Sequence, residues 1–154
     1  MAVKYKIIEE SFEDSFELIA IHSNLEDYAL AYHLNEKVNL RLARGSKDLE
    51  LDTVAFPVFE WEDKVDGQCW QLLCNYKKHE IREDAVGLFT ESKTSRTYYL
   101  VEERRDIDFF LKITPGNPKI VKEMVKTLMT VPKLTMAYVV DSQTIKAKQN
   151  LIFY

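Results

Sequence analysis

The stretch FELIAIHSNLEDYALAYHLNEK, residues 16–37, contains the two patterns that decide the fold. Residues 16–23 are rich in apolar and β-branched side chains, a composition that predicts a strand. Residues 23–37 predict a helix, because Ser23 and Glu26 have the Ser-x-x-Glu spacing of a capping box. Apolar residues then recur at the three-and-four spacing of one buried helix face. The predicted buried residues are Leu25, Tyr28, Ala29 and Tyr32.

Downstream of this unit, two aromatic-rich runs predict a β-hairpin. VAFPVFEWED, residues 54–63, and QCWQLLCNYK, residues 68–77, are separated by KVDG, which has the length and composition of a hairpin turn. Pro57 cannot donate a ladder hydrogen bond, so the first strand is expected at a sheet edge or with a bulge. GLFTESKTSRTYYLVEE, residues 87–103, predicts a second hairpin with ESKTS at its tip.

The run VEERRDIDFFLKI, residues 101–113, begins as a charged turn and continues as a strand. Its alternation places one set of apolar residues on a single face, namely Ile107, Phe109, Leu111 and Ile113. Asn117 is then the predicted N-cap of a second helix, with Pro118 at its first position and Pro132 beyond its end. The predicted buried stripe of this helix is Ile120, Val121, Met124, Leu128 and Met129. LTMAYVVD, residues 134–141, predicts a further strand.

The order of these elements predicts the fold class. Strand, helix, several strands, helix and strand follow one another through short connections, which favour antiparallel neighbours. We therefore expect an α+β fold, a mainly antiparallel sheet with two principal helices packed on one face. A chain of 154 residues fits a single domain, residues 1–154, with one core. Its apolar runs are too short for membrane insertion and its first residues lack a secretory pattern, so a cytoplasmic location is expected.

Cysteine usage indicates the redox compartment of the protein, and net charge indicates which classes of partner are disfavoured. Cys69 and Cys74 lie five residues apart on one predicted strand and point to opposite faces, so a disulfide between them is not expected. A reducing compartment fits this usage. A net charge of -4 and a pI near 5.5 disfavour nucleic acid, which needs a concentrated positive surface. Nucleic-acid binding stays an alternative, because three short basic pieces could converge: RLARGSK (41–47), Lys77 with Lys78, and Lys146 with Lys148.

Patterns that would support catalysis are weak in this sequence. His22, Ser23 and Asp27 lie close together along the chain, so a small hydrolase-like enzyme centred on His22 is one alternative. Ser23 is already explained as a helix cap, and no glycine-framed nucleophile elbow surrounds it. The histidines lack the spacing of a helical metal site, and the glycines form no phosphate-binding motif. We therefore predict no catalytic, metal-binding or cofactor-binding residue, and no cofactor.

Three segments carry a resemblance to a known family: ELIAIHSNLEDYALAYHLN (17–35), DFFLKI (108–113) and KAKQNLIF (146–153). On these residues the chain resembles the IPExxxVDY family of small bacterial proteins, over nearly its whole length. The family's signature falls on residues 101–109, where Glu103 and Asp108 are kept. Four signature positions differ, namely Val101, Glu102, Ile107 and Phe109. No activity is established for that family, so the resemblance implies an uncharacterised bacterial protein without assigning a reaction.

The predicted function is the binding of another protein or macromolecular assembly without catalysis. Aromatic side chains and arginines concentrate binding energy at interfaces, so the charged turn with Arg104 and Arg105 is a predicted contact. Trp61, Tyr98, Tyr99 and Phe110 either lie on an uncovered sheet face, where they would form a contact surface, or pack in a core on both faces of the sheet, which is the favoured interpretation. The apolar ending is a second predicted contact, formed by Leu151, Ile152, Phe153 and Tyr154. Such an ending either pairs within its own sheet or adds to a partner's sheet. A homo-oligomer and an RNA- or ribosome-associated accessory protein are the further alternatives.

Overall fold

The computed structural model describes residues 16–51, 53–83 and 92–151. The elements of this part of the chain are β1 (Glu17–Ser23), α1 (Asp27–Val38), β2 (Ala43–Arg44), β3 (Leu49–Leu51), β4 (Val54–Phe56), β5 (Val58–Asp63), β6 (Gln68–Cys74), β7 (Tyr76–Glu83), β8 (Ser92–Tyr99), β9 (Phe109–Thr114), α2 (Pro118–Leu128) and β10 (Leu134–Val140). Three short 3-10 turns complete it, Glu102–Arg104, Ser142–Thr144 and Lys148–Leu151.

The centre of the fold is a six-stranded sheet in the order β10-β1-β9-β6-β5-β2. Each neighbouring pair in this sheet is antiparallel. Strands β3 and β4 form a small antiparallel sheet, and β7 and β8 form another. The predicted α+β fold with a mainly antiparallel sheet is therefore confirmed.

Two buried clusters lie against the central sheet, and alternate strand residues belong to different clusters, as the pleat requires. The first, which we call the helix cluster, joins strand residues such as Ile19 and Leu111 to residues of both helices, including Leu34 and Val121. The second, which we call the loop cluster, joins the intervening strand residues to β4, the 100–107 segment and the C-terminal turns. Its buried members are Phe16, Leu18, Ala20, Val54, Phe56, Val58, Leu73, Leu100, Val101, Ile107, Phe110, Val140, Ile145 and Leu151.

The first helix begins later than the sequence predicts. Ser23 is the last residue of β1, and Glu26 occupies the N-cap position without a side-chain capping bond. The Ser23 Oγ accepts the Leu25 N–H at 3.2 Å and donates to the Lys133 carbonyl at 2.9 Å. The predicted capping box is therefore wrong, because its serine closes the strand end against a distant segment. The helix ends before Asn39, whose φ of 60° lies in the left-handed region that asparagine tolerates.

The predicted buried face of α1 is also wrong. Tyr28 and Tyr32 are 66% and 64% exposed, whereas the buried residues are Leu30, Ala31 and Leu34. Both sets follow helical spacing, so periodicity alone selected the wrong one. The tyrosine side chains remain largely exposed, and the smaller aliphatic side chains fill the core.

The second helix begins where the sequence predicts. Asn117 is its N-cap, and the side chain accepts the N–H groups of Lys119 and Ile120. Val121 and Leu128 are buried as expected. Met129 is 54% exposed, however, because the helix ends at Leu128 and Met129 occupies the C-cap position.

The hairpin predictions are confirmed in one case and wrong in the other. Strands β5 and β6 pair across the KVDG turn, with Asp63 opposite Gln68. Pro57 lies between β4 and β5, which belong to different sheets, so it divides the predicted strand. The segment predicted as the ESKTS hairpin tip contains the start of β8, which pairs with β7; residues 84–91 between them lie outside the described residues.

The run leading into β9 departs from its predicted alternation at one residue, Ile107. Phe109, Leu111 and Ile113 lie together in the helix cluster, as predicted, but Ile107 precedes the strand and lies in the loop cluster. Phe110 is fully buried in the loop cluster, in agreement with the favoured interpretation of a core on both faces of the sheet. The sheet therefore has a buried apolar side chain on both faces at β9.

Candidate functional site

The segment between β8 and β9, residues 100–108, is held by one buried side chain, Asn75. Its Nδ2 donates to the carbonyls of Arg104 and Ile107 at 2.8 and 3.0 Å, and its Oδ1 accepts the Val101 N–H at 2.9 Å. The Asn75 backbone forms hydrogen bonds with the two ends of the same segment. Its N–H donates to the Asp108 carbonyl, and its carbonyl accepts the Leu100 N–H. A neutral side chain with every bond satisfied fixes a loop conformation, because each loose end would leave a buried polar group unpaired.

Arg104, one of the predicted contact residues, lies between a carboxylate and a tyrosine. It donates two hydrogen bonds of 3.1 Å to Asp106 and one of 2.7 Å to the Tyr138 hydroxyl. Its guanidinium carbon is 5.9 Å from the centre of the Tyr138 ring. Asp106 holds the pKa of Arg104 above its ordinary value, and Arg104 holds the pKa of Asp106 below its own. The side chain is thus oriented by two groups through three hydrogen bonds, while remaining partly exposed.

Arg105, the second predicted contact residue, lies over Tyr99 of β8, whereas Arg104 lies over Tyr138 of β10. Its guanidinium lies 5.0 Å from the centre of the Tyr99 ring and pairs with the Glu102 carboxylate. Arg96 lies over the Tyr98 ring in the same way, also at 5.0 Å. We call the loop residues Arg104 and Arg105, with the tyrosines beneath them, Tyr138 and Tyr99, the arginine–tyrosine surface.

A cleft of about 430 Å³ borders this surface. Its lining includes Arg96 and Tyr98 of β8, Glu103 of the loop, and Lys146 of the C-terminal segment. The Glu103 carboxylate accepts the Ala147 N–H at 3.1 Å, which ties the C-terminal segment to the loop. Both signs of charge therefore line the cleft beside aromatic rings.

The hydrolase alternative centred on His22 does not assemble as the sequence suggested. The carboxylate nearest to His22 is Asp108, with 4.0 Å between Nδ1 and Oδ2, and the Nε2 lies 3.0 Å from the Tyr138 hydroxyl. The Ser23 hydroxyl donates to the Lys133 carbonyl, so it is not the donor that a base on His22 would need. His22 instead joins Asp108 to the arginine–tyrosine surface through Tyr138.

The C-terminal contact predicted at residues 151–154 is described in the structure only at Leu151. This side chain is fully buried in the loop cluster, and its carbonyl accepts a hydrogen bond of 2.6 Å from the Lys112 Nζ. Leu151 is therefore part of the core and not of an exposed surface. Ile152, Phe153 and Tyr154 lie outside the described residues.

Lys112 is a buried amine in the middle of the sheet. Its Nζ lies 4.9 Å from the centre of the Phe16 ring and donates the hydrogen bond to the Leu151 carbonyl. Burial lowers its pKa to about 8, because the charged form loses hydration. The two cysteines show the same effect with the opposite sign: burial raises the pKa of Cys69, and raises that of Cys74 to about 11. Neither thiol is poised as a thiolate nucleophile.

The basic pieces noted in the sequence line three separate clefts. Arg44 and Lys47 line a cleft of about 980 Å³ beside β2, where Arg44 pairs with Asp48 at 2.6 Å. Lys77 and Lys78 line another of about 400 Å³ beside α1, and Lys146 lines the cleft beside Arg96. These pieces do not converge on one cleft.

Sequence reasoning identified Arg104 and Arg105 but missed the two residues that organise them. Asn75 follows β6 as one polar residue in a run of strand-forming ones, and Tyr138 lies in the uncharged strand β10. An asparagine inside the aromatic-rich run of residues 68–77 was the available signal for Asn75. No local signal marks Tyr138, since its partners are 34 and 116 residues away.

Comparisons of the chain with protein-family models, with curated proteins and with solved structures gave no match. Within the described residues, no helix is long and apolar enough to cross a membrane. No group of three or more histidine, cysteine and acidic side chains with the arrangement of a metal site occurs in residues 16–51, 53–83 and 92–151.

Proposed function

We propose that this chain is a non-catalytic cytoplasmic protein that binds another protein through the arginine–tyrosine surface. The observation that carries the proposal is the placement of Arg104 and Arg105 on the rings of Tyr138 and Tyr99, at 5.9 and 5.0 Å. Arginine and tyrosine are the residue types that most often dominate the energy of protein interfaces. Two free cysteines support a reducing, cytoplasmic compartment.

The arrangement of the loop lowers the entropic cost of binding. Exposed arginines lose much side-chain freedom when a partner orders them, at a cost of about 0.5–1.5 kcal/mol each. Arg104 is already oriented by Asp106 and Tyr138, and Asn75 fixes the backbone that carries it. A partner carboxylate or carbonyl would thus meet guanidinium groups that are already in position.

We also infer that both helices cover the same face of the central sheet. Their buried residues share the helix cluster with one alternating set of strand residues. The loop cluster on the other strand residues is closed by the 100–107 segment and the C-terminal turns. The arginine–tyrosine surface belongs to this second covering layer.

Membership in the IPExxxVDY family is part of the same proposal. The two acids that the signature keeps, Glu103 and Asp108, both bind backbone amides of other segments, at Ala147 and Ser23. These bonds give the signature a structural role, because they hold the loop that carries Arg104 and Arg105.

The proposal is tested by affinity capture from native cytosol at near-physiological salt, comparing the natural chain with Arg105→Ala and Arg104→Ala. We expect one stoichiometric partner with the natural chain and at least about a tenfold loss of it with either variant, since a central arginine contributes about 2 kcal/mol or more. Arg44→Ala is the matched control, because Arg44 also pairs with a carboxylate but lies at another cleft. Recovery of no partner in repeated captures, or equal losses with Arg44→Ala, would refute the proposal.

Nucleic-acid binding by the β7–β8 ribbon is a second candidate. Lys77 and Lys78 on β7 face Tyr98 and Thr97 across the ribbon, and Arg96 lies over the Tyr98 ring. A two-stranded ribbon with cations beside a stacking ring fits a nucleic-acid groove or an unstacked base. Titration of a single-stranded RNA oligonucleotide should then give an affinity that falls steeply with salt and weakens in Lys77→Ala, while an affinity independent of salt would exclude it.

A further inference from the structure

The two edges of the central sheet are of different kinds. At one edge β2 has two residues, and at the other β10 has seven. Among the described strands β10 pairs with β1 alone, so the backbone groups on its far side are not used by the described sheet. A long strand edge offers a row of hydrogen-bonding groups to another strand.

β10 has one of the usual protections of an edge strand, a register shift in its pairing with β1 that leaves Thr135 without a partner residue. Its sequence, LTMAYVV, contains no charged residue and no proline. Met136 is 49% exposed and Val139 is 43% exposed, and Thr135 is exposed as well. Thr135 and Met136 are consecutive, because the register shift between β1 and β10 interrupts the alternation of faces at this point.

We propose that β10 pairs with β10 of a second copy of this chain, antiparallel and about a two-fold axis at Ala137. In this register the ends of the two strands meet. Lys133, in the turn just before β10 with a φ of 71°, comes close to Asp141 just after β10 of the other copy, and both residues are exposed. Met136 then faces Tyr138. The contact is isologous, so the same pairs occur twice and the assembly closes as a dimer.

The charges at the two ends of β10 favour a second copy of this chain as the partner strand, and they also favour one register. Moving the axis by one residue to Met136 or Tyr138 would place Lys133 opposite Val139 or Gln143, and no charge pair would form. With the axis at Ala137, opposite charges close both ends of an uncharged strand, which is favourable across an antiparallel pair. The Asp141 Oδ1 caps the Gln143 N–H at 2.9 Å, which holds the carboxylate at the end of the strand. The inference does not depend on the proposed function of the arginine–tyrosine surface.

The test is sedimentation equilibrium of the full chain over a range of concentrations. We expect the mass to rise from 18.1 kDa toward twice that value in the natural chain. Val139→Lys and Met136→Lys each place a charge on the open edge and should return the mass to that of the monomer. Val65→Lys, which changes an exposed valine in the β5–β6 turn, should leave the dimer intact.

The register is tested by a charge exchange. Lys133→Glu and Asp141→Lys should each weaken association about tenfold, because two symmetric attractions become repulsions, and the double variant should restore it. Circular dichroism of each variant checks that the fold is kept. A natural chain that stays at monomer mass would overturn the proposal, as would a dimer that the edge variants or the charge exchange leave unchanged.

Discussion

The helix cluster and the loop cluster both consist of buried apolar residues, but different interactions hold them together. The helix cluster is assembled from two helices and the strands beneath them, whose apolar residues recur at regular spacing. The loop cluster gathers short segments from distant parts of the chain. Two buried polar side chains, Asn75 and Lys112, tie those segments to the sheet.

This difference determines how each cluster responds to a mutation. Apolar burial contributes roughly 25 cal/mol per Å², so its loss is graded with the area removed. A buried polar anchor responds more steeply, since each unpaired donor or acceptor costs about 1–3 kcal/mol. We therefore expect the loop cluster to be the more sensitive of the two to single polar substitutions.

Asn75→Leu should produce the largest effect. The substitution keeps the side-chain volume but leaves the Val101 N–H and the carbonyls of Arg104 and Ile107 without their partner. We expect a loss of about 4 kcal/mol in the free energy of unfolding. Urea denaturation followed by circular dichroism measures it.

Asn35→Leu is the matched control in the helix cluster. Asn35 also makes two hydrogen bonds, both with the Leu42 backbone at 2.8 and 2.9 Å, but it is only partly buried, so water can replace them. Its loss should be about 1 kcal/mol. Equal losses at the two asparagines would contradict the distinction between the clusters.

The sequence predicted the elements of the helix cluster better than their faces. Strand β1, the β5–β6 hairpin, the Asn117 cap and β10 follow from local spacing and turn chemistry. The buried face of α1 did not follow, because Tyr28 and Tyr32 have the same helical spacing as the residues that are buried. An amphipathic tyrosine can satisfy either side of such a pattern.

The loop cluster and the arginine–tyrosine surface depend on contacts between distant residues. Arg104 and Arg105 were identified from composition, but the tyrosines that orient them come from two other strands. Ser23 shows the same limit, since its hydroxyl is used by Lys133, 110 residues away, and not by the helix that follows it. Local rules describe bonds within one turn and do not specify which distant group competes for them.

Lys112→Met should change the pH dependence of stability. Because the folded pKa is lowered from 10.5 to about 8, the unfolded chain binds more protons between these values, and stability should rise with pH across that window. The rise contributed by this amine is at most about 3 kcal/mol. Urea midpoints from pH 7 to 10.5 should show it in the natural chain and lose it in the variant.

The control for Lys112 is Lys148→Met. Lys148 lies over the same Phe16 ring, at 5.7 Å, but is not part of the sheet. Subtracting each variant's curve from that of the natural chain removes the contribution of the other titrating groups. A difference curve for Lys112→Met that is flat across pH 8 to 10.5 would show that the amine is not desolvated. The hydrogen bond from Lys112 to the Leu151 carbonyl would then not be a buried anchor of the loop cluster.

Asn117→Ala should produce the smallest of these effects and sharpen the comparison from the helix side. The substitution removes the side chain that accepts the Lys119 and Ile120 N–H groups, at an expected cost of about 1 kcal/mol. Asn117→Asp keeps an accepting oxygen and should restore most of it. Glu26→Ala changes the N-cap of the other helix, which makes no side-chain capping bond, and should cost less than about 0.5 kcal/mol. If the two alanine variants lost equal stability by urea denaturation, α2 would owe its start to packing alone, and the helix cluster would need no polar anchor at all.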